Sequence, residues 1–259
     1  MSSKGSYYGK YREKNPGLEK SGISGSISEN KRKEFEEGRV ILVDKPIHWT
    51  SFDVVRKIRG ALRIKKIGHA GTLDPLASGL LILCTGKFTK KINEYMGMVK
   101  EYTGTIILGA CTPTYDLESE PADFRDYSGF DKEDLILKSR EFEGDILQKP
   151  PIYSAIKKEG KPLYELARRG KEVEPEPRPV RIEVFEITRY EPPVVGFRVV
   201  CSTGTYIRSL AHDFGIKLGC GAYLGSLRRT RIGDFSVESA LGPDDFLRDV
   251  FSDQKDQKG

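Results

Sequence analysis

Residues 68–90 read GHAGTLDPLASGLLILCTGKFTK, and the organisation of the chain can be worked outward from them. The first twelve, 68–79, hold three glycines and one proline and are expected to form a loop. Leu80 to Cys84 follows as an unbroken apolar run, the pattern of a buried strand. Inside the loop Asp74 precedes Pro75, whose ring drives the residue before it from helical toward extended dihedrals. The neighbouring glycines let another chain approach the backbone closely. A carboxylate held this way can be presented to a substrate, although Asp-Pro pairs also simply make turns.

Upstream, Val40 to Val43 is a short apolar run read as a strand, and Lys45-Pro46 turns the chain. Thr50 or Ser51 can cap a helix in which Val54, Val55, Ile58, Ala61 and Leu62 recur at helical spacing. The other face carries Arg56, Lys57, Arg59, Arg63, Lys65 and Lys66, six cations in eleven residues with no acid among them. Such a run is usually a solvated face, but this density tilts it toward a phosphate-facing surface. Downstream, strands are expected at 102–108, 180–187 and 195–202. Helices are expected at 161–169 and 206–218, the second closed by Gly219. The acidic stretch 113–145 reads as a solvent-side excursion containing one helix. Strands and helices mix without a regular βαβ period, which predicts an α+β fold with a mixed or antiparallel sheet. Residues 1–37, rich in Ser, Gly, Lys and Glu, read as a flexible polar arm, helical near 30–37 at most. The folded domain is placed at 38–245, with a short polar tail at 246–259.

Composition narrows the chemistry. Of 259 residues, 37% are hydrophobic and 31% charged, enough apolar material for a core. The net charge of +5 permits an anionic partner without requiring one. Cys84, Cys111, Cys201 and Cys220 form no C-x-x-C pair and only three histidines accompany them, so no metal site is expected. The cysteines flank apolar runs and read as buried free thiols. No run of eighteen apolar residues and no apolar leader occurs, so no membrane association is expected and a reducing, cytoplasmic setting fits best. Gly86-Lys87 resembles the end of a P-loop, but Leu81 and Phe88 stand where a glycine and a Ser/Thr are needed. G-x-S-x-G, H-E-x-x-H and EF-hand spacings are absent. A carboxylate, a tyrosine and an arginine remain as the reactive set.

Five ordered blocks then carry a resemblance. They are VDKPIHWTSFDVVRKIR (43–59), the 68–90 segment, KEYTGTIILGACTPTYDLES (100–119), QKPPIYSAIKKEGKPLYELARRG (148–170) and CSTGTYIRSLAHDFGIKLGCGAYLGSLRRTRIG (201–233). Together they resemble the TruB family of tRNA pseudouridine synthases over roughly residues 38–240. A lone G-T-L-D-P would be weak, but five blocks in order set aside the turn-only reading of Asp74. The resemblance implies the α+β pseudouridine-synthase fold, a mixed sheet with surrounding helices and a catalytic cleft. It implies isomerisation of uridine 55 in the T-loop of tRNA, with tRNA as partner, no cofactor, no obligatory protein partner and a monomer.

Site roles follow by position. Asp74 matches the nucleophilic aspartate. Tyr102 matches the tyrosine that stacks on the flipped uracil and moves a proton. Arg208 matches the arginine that pairs with the aspartate, and Tyr206 lies beside it in GTYIR, expected at the substrate. Leu227 matches a leucine packed on the catalytic pocket, and His69 the histidine that helps displace the target base. Lys45 and Pro46 match a motif supporting the catalytic loop, with Lys45 counted on the substrate side. Phosphate contacts are expected from Arg59, Arg63 and Lys66, and from Arg228, Arg229 and Arg231. The residue types suit the reaction. A buried carboxylate resists ionisation and a guanidinium beside it favours the charged form. A stacked uracil must be flipped out, and an aromatic ring then receives it. Bacterial members often carry a C-terminal PUA-type RNA-binding module; only nineteen residues follow Ala240, too few for one. The core is therefore expected to bind most of the RNA. Three rivals stay open: another RNA hairpin mimicking the T-loop, an RNA chaperone without catalysis, and a base-excising glycosidase.

Overall fold

Strand alternation and helix caps set the elements, and in a computed structural model they are described for residues 27–154, 157–158, 161–162 and 175–252. The chain divides into two units, Met1–Met98 with Arg228–Gly259, and Val99–Leu227. The continuous block 38–245 of the sequence reading is thus divided at Met98/Val99 and Leu227/Arg228.

In the first unit, helix α1 (Glu29–Glu37) is capped by the Ser28 side chain and buries Phe35. The arm reading therefore stops short: residues 1–26 lie outside the described residues, but from Ile27 the chain joins a core. Phe35 meets Phe246 edge-on with centroids 6.2 Å apart. Strand β1 (Val40–Lys45) alternates half-buried and buried positions. Helix α2 (Ser51–Leu62) starts at Thr50, whose hydroxyl accepts from Asp53 N–H while the Asp53 carboxylate accepts from Thr50 N–H, a complete capping box. Its buried side chains Val54, Val55, Ile58 and Leu62 are four of the five that the 3.6 period predicts, Ala61 being partly buried. Short strand β2 (Ile67–His69) and the largely buried β3 (Ala77–Thr85) follow, and β3 pairs antiparallel with both β1 and β2. A 3-10 turn (Gly86–Lys91) and helix α3 (Ile92–Gly97) close this part.

The second unit begins with β4 (Lys100–Leu108). The 113–145 stretch contains the one expected helix, α4 (Lys132–Arg140), with an Asp131–Asp134 capping box. It is not wholly on the solvent side, because Thr112, Thr114 and Asp116 are buried. Next come β5 (Gly144–Gln148), the small antiparallel pair β6 (Lys157–Lys158) and β7 (Lys161–Pro162), β8 (Arg178–Glu191) and β9 (Val194–Cys201). The helix expected at 161–169 begins instead with strand residues, and 163–169 lie outside the described residues. Helix α5 (Ile207–Leu218) ends at Gly219 with φ 84°, the left-handed cap that glycine adopts at least cost. Strand β10 (Ala222–Ile232) supplies residues to both units. Within the second unit the strand order is β10-β4-β9-β8-β5. The pairs β4–β9, β9–β8 and β8–β5 are antiparallel, and an isolated parallel bridge joins Asp116 to Leu224.

Back in the first unit, β3 lies between β1 and β10, and β11 (Phe235–Ser236) turns back on β10. Helix α6 (Pro243–Ser252) buries Leu247 and Val250 and lays Phe246 and Phe251 on the same core. The tail expected at 246–259 is thus a packed amphipathic helix over most of its described part. The fold is α+β with a mixed sheet, as the sequence predicts. Cys84, Cys201 and Cys220 are buried, Cys111 is partly so, and all four are free thiols. Burial pushes the Cys84 and Cys201 thiols up to about 11, which keeps them protonated and unreactive.

Candidate active site

In the first unit, backbone and side-chain bonds fix the loop that carries Asp74 from several directions. Ala70 N–H donates to Ile82 O at 2.8 Å, and His48 N–H donates to Pro75 O at 2.7 Å. Ser51 Oγ accepts from Leu73 N–H at 2.9 Å and is 3.3 Å from Leu73 O, so the start of α2 clamps the residue before Asp74. Ala77 N–H returns to Asp74 O at 3.1 Å. Asp74 itself is half-buried. Such a loop costs little reorganisation when a substrate arrives, which is what a positioned nucleophile requires.

Beneath the loop lies Arg229, only 1% exposed. Its Nε donates to Leu80 O at 2.8 Å and its Nη2 to Gly71 O at 3.2 Å, tying both flanks of the loop to β10. Gly79 makes this approach possible: its φ is +104°, and a Cβ there would overlap the Arg229 carbonyl. Arg229 is therefore not a phosphate contact, because its guanidinium is spent on interior carbonyls. Its neighbour Arg228 points to the other side of the strand and forms a two-pronged pair with Asp44, at 3.0 and 2.7 Å. Arg228 keeps 40% of its side chain exposed, and Arg231 is exposed.

Lys45 is fully buried, and its Nζ donates to Trp49 O at 2.6 Å and Pro46 O at 3.0 Å. It is buried and holds the 46–49 turn, which corrects its substrate-side placement. Burial pulls its pKa down from 10.5 to about 7, while the Asp74 carboxylate works in the opposite direction. The folded value lies below the unfolded one, so the unfolded state binds more protons between about pH 7 and 10.5. Stability from this residue should accordingly rise with pH across that window. Thermal melts of wild type and Lys45→Met at several pH values check this: the melting-temperature advantage of wild type should widen from pH 7 to pH 10. A constant difference would mean that Lys45 stays charged in the fold.

His69 on β2 is half-buried, and its Nδ1 has no hydrogen-bond partner among the described residues. Burial first and the Arg229 charge second hold its pKa below 6.5, so the ring is neutral at pH 7. An uncharged imidazole suits insertion into a base stack. The six-cation run at 56–66, which starts on α2 and continues past its end, separates: Arg56 is bonded to Asp53 at 2.9 Å and Lys57 to Asp244 at 2.6 Å. Arg59, Arg63, Lys65 and Lys66 stay exposed, without an acidic partner among the described residues.

In the second unit, Tyr102 sits on β4 opposite Val199 of β9 and is 9% exposed. Arg208 occupies the first turn of α5 and is 4% exposed. Its Nη1 donates to Thr114 O at 3.3 Å and its Nη2 to Tyr153 O at 3.1 Å, while Nε lies 3.7 Å from Asp116 Oδ2. Asp116 is anchored in turn: its Oδ1 accepts from Thr114 Oγ1 at 2.6 Å and from Glu118 N–H at 3.0 Å. Tyr206, the cap residue of α5, is gripped at both backbone atoms by the Gln148 amide, at 2.8 and 3.0 Å. Leu227 is half-buried on β10. Asp116 and Gln148 escaped the sequence reading. Asp116 was lost among the surface acids of 113–145, although its place in TPTYD directly after two threonines and a tyrosine is a turn signal. Among the described residues, no group of three or more His, Cys, Asp or Glu is placed to hold a metal ion.

An α+β frame with a mixed sheet and a clamped glycine-rich loop places the chain in the class of pseudouridine-synthase folds. Residues 59–207 match the model of the TruB family pseudouridylate synthase N-terminal domain, and residues 208–258 match that of the tRNA pseudouridylate synthase B C-terminal domain. The chain belongs to the TruB family of pseudouridylate synthases. The tRNA pseudouridine synthase B of Flavobacterium johnsoniae is 54% identical over 81% of this chain and 94% of its own length. That of Chloroherpeton thalassium is 48% identical over 83% of this chain and 91% of its own. Among solved structures, a chain of a Cbf5-Nop10-Gar1 complex is 30% identical with a TM-score of 0.69, over 92% of this chain and 63% of that one. A chain of an H/ACA RNP bound to a substrate RNA containing 2'-deoxyuridine is 28% identical with a TM-score of 0.66. This chain therefore spans under two thirds of the length of those solved chains. Among the described residues no helix is long and apolar enough to cross a membrane.

Proposed function

We propose that the protein isomerises uridine 55 in the T-loop of tRNA to pseudouridine, acting in the cytoplasm as a monomer without a cofactor. The observation that carries this reading is the GTLDP loop, clamped by Ser51, His48 and Arg229 in a chain of the TruB family. Names of the curated relatives, tRNA pseudouridine synthase B, supply the substrate class.

In the proposed reaction the N1–C1' bond of uridine breaks, the uracil turns, a C5–C1' bond forms, and the C5 proton leaves as N1 gains one. Product and substrate have the same atoms, so no oxidant or reductant is needed. Asp74 serves as nucleophile, toward either the base or the sugar. Tyr102 offers the stacking ring for the flipped uracil and a hydroxyl that relays the proton. Arg208 supplies the guanidinium that the resemblance pairs with the nucleophile. Phosphates meet Arg59, Arg63 and Lys66, exposed cations of the 56–66 run.

Tritium release tests the reaction class. A tRNA transcript labelled at uracil C5 should lose one tritium per molecule on incubation with the protein and yield no free uracil. Free uracil would show a glycosidase instead, and release of neither would leave a chaperone.

The binding part is tested by salt. Replacing Arg59, Arg63 and Lys66 together by glutamine should flatten the slope of log affinity against log salt by about 2 to 3, while saturating tRNA restores most of the turnover. Truncation of the arm is a proper control only up to residue 26, because Phe35 is buried. An unchanged slope in the triple variant would move the phosphate contacts elsewhere.

A further inference from the structure

Helix α2 carries one exposed stripe to which the clamped loop and the phosphate assignments give no continuous role. Phe52, Arg56, Arg59 and Arg63 are spaced four, three and four residues apart. At about 100° per residue Phe52, Arg56 and Arg59 fall within an arc of about 60°, and Arg63 follows as the left-handed cap that ends the helix. Phe52 is 58% exposed, while Val54, Val55, Ile58 and Leu62 of the same helix are buried. Ile47 is also exposed, at 51%.

One exposed phenylalanine on a surface needs no explanation. These two apolar side chains, however, flank the backbone that holds the Asp74 loop. His48, next to Ile47, donates to Pro75 O, and Ser51, next to Phe52, brackets Leu73. Past Phe52 the stripe continues as guanidinium groups. Arg56 is tied to Asp53, but Arg59 and Arg63 have no acidic partner among the described residues. Arg59 lies about 10 Å along the helix axis from Phe52, and Arg63 stands just past the helix end. The surface is thus an apolar ring beside the loop followed by free positive charge leading away from it. A nucleic acid strand has that chemistry in complement: a base face at the reacting end and phosphates behind it. Extruding one base also leaves its neighbours without a stacking partner, and an aromatic side chain can replace it.

We infer that this stripe seats the single-stranded RNA next to the target uridine. The Phe52 ring stacks on the base of a nucleotide adjoining the target, Ile47 packs against the same nucleotide, and the following phosphates run to Arg59 and Arg63. This rests on the reading above that the substrate is a folded RNA loop.

The test is a binding cycle on the full chain, using an unmodified tRNA transcript and two further RNAs that lack the base on one or other side of the target uridine. In wild type, removing the base that Phe52 contacts should weaken binding roughly ten-fold. Phe52→Ala should weaken binding of intact RNA by a similar factor and abolish the further loss on base removal, because both changes delete one contact. Phe52→Tyr should behave as wild type, and Phe52→Leu, apolar but without a ring, as alanine. Since Phe52 is exposed, thermal melting of all three variants should stay near wild type. Equal affinity of wild type and Phe52→Ala, or purely additive losses with both abasic RNAs, would overturn the stacking contact. Binding is read without turnover, so failure here is distinct from failure of the isomerase reading, which tritium release decides.

Discussion

Asp74→Asn should abolish pseudouridine formation, a loss of at least about a thousand-fold, with tRNA affinity little changed. The substitution keeps the shape of the side chain and every backbone bond of its loop, since those are made by Ala70, Leu73, Pro75 and Ala77. What disappears is the charge, and an amide cannot act as the nucleophile. A second consequence follows in the same unit. The Asp74 carboxylate works against the burial that lowers the Lys45 pKa, so in the variant Lys45 should deprotonate more readily than its wild-type value of about 7. Turnover comparable to wild type in Asp74→Asn would remove this residue from the nucleophile role, whatever its position in the loop.

Arg208→Lys should lower turnover by about a hundred-fold, and Arg208→Ala should in addition destabilise the fold by about 3–5 kcal/mol. Its place near a helix start suggests, in sequence alone, a residue that can be changed with little effect on folding. The side chain is instead 4% exposed and reaches Thr114 O, Tyr153 O and the Asp116 carboxylate at once. A planar guanidinium can address three directions in one plane. A lysine ammonium at the end of a shorter donor array cannot. Alanine would remove the guanidinium that faces the equally buried Asp116. Melting curves and single-turnover rates separate the two effects: lysine should cost mainly rate, alanine both. A lysine variant with wild-type turnover would show that any cation suffices there.

Several features were legible because they are local. The Thr50 cap, the apolar stripe of α2, the Gly219 stop of α5 and the apolar run of β3 each follow from neighbours within one or two turns. Charge was read less well, because its partner is set by tertiary contacts. Arg228, Arg229 and Arg231 look like one cationic cluster in SLRRTR. Strand alternation instead sends Arg229 into the interior carbonyls and Arg228 to Asp44. Two of the six cations at 56–66 are neutralised, Arg56 by nearby Asp53 and Lys57 by Asp244 far along the chain. Asp116 was concealed for the same reason, since its partner Arg208 is remote in sequence. The helix α6 could have been found. Phe246, Leu247, Val250 and Phe251 recur at helical spacing, but the polar residues between them made the segment read as a tail.

The central claim is that one particular uridine in tRNA is isomerised. Nucleotide-resolution mapping of pseudouridine, on an unmodified tRNA transcript incubated with the purified full chain, tests it most directly. The account predicts a single new pseudouridine at position 55 with wild-type protein and none with Asp74→Asn. No pseudouridine in the transcript, or pseudouridine only at other positions, would contradict it.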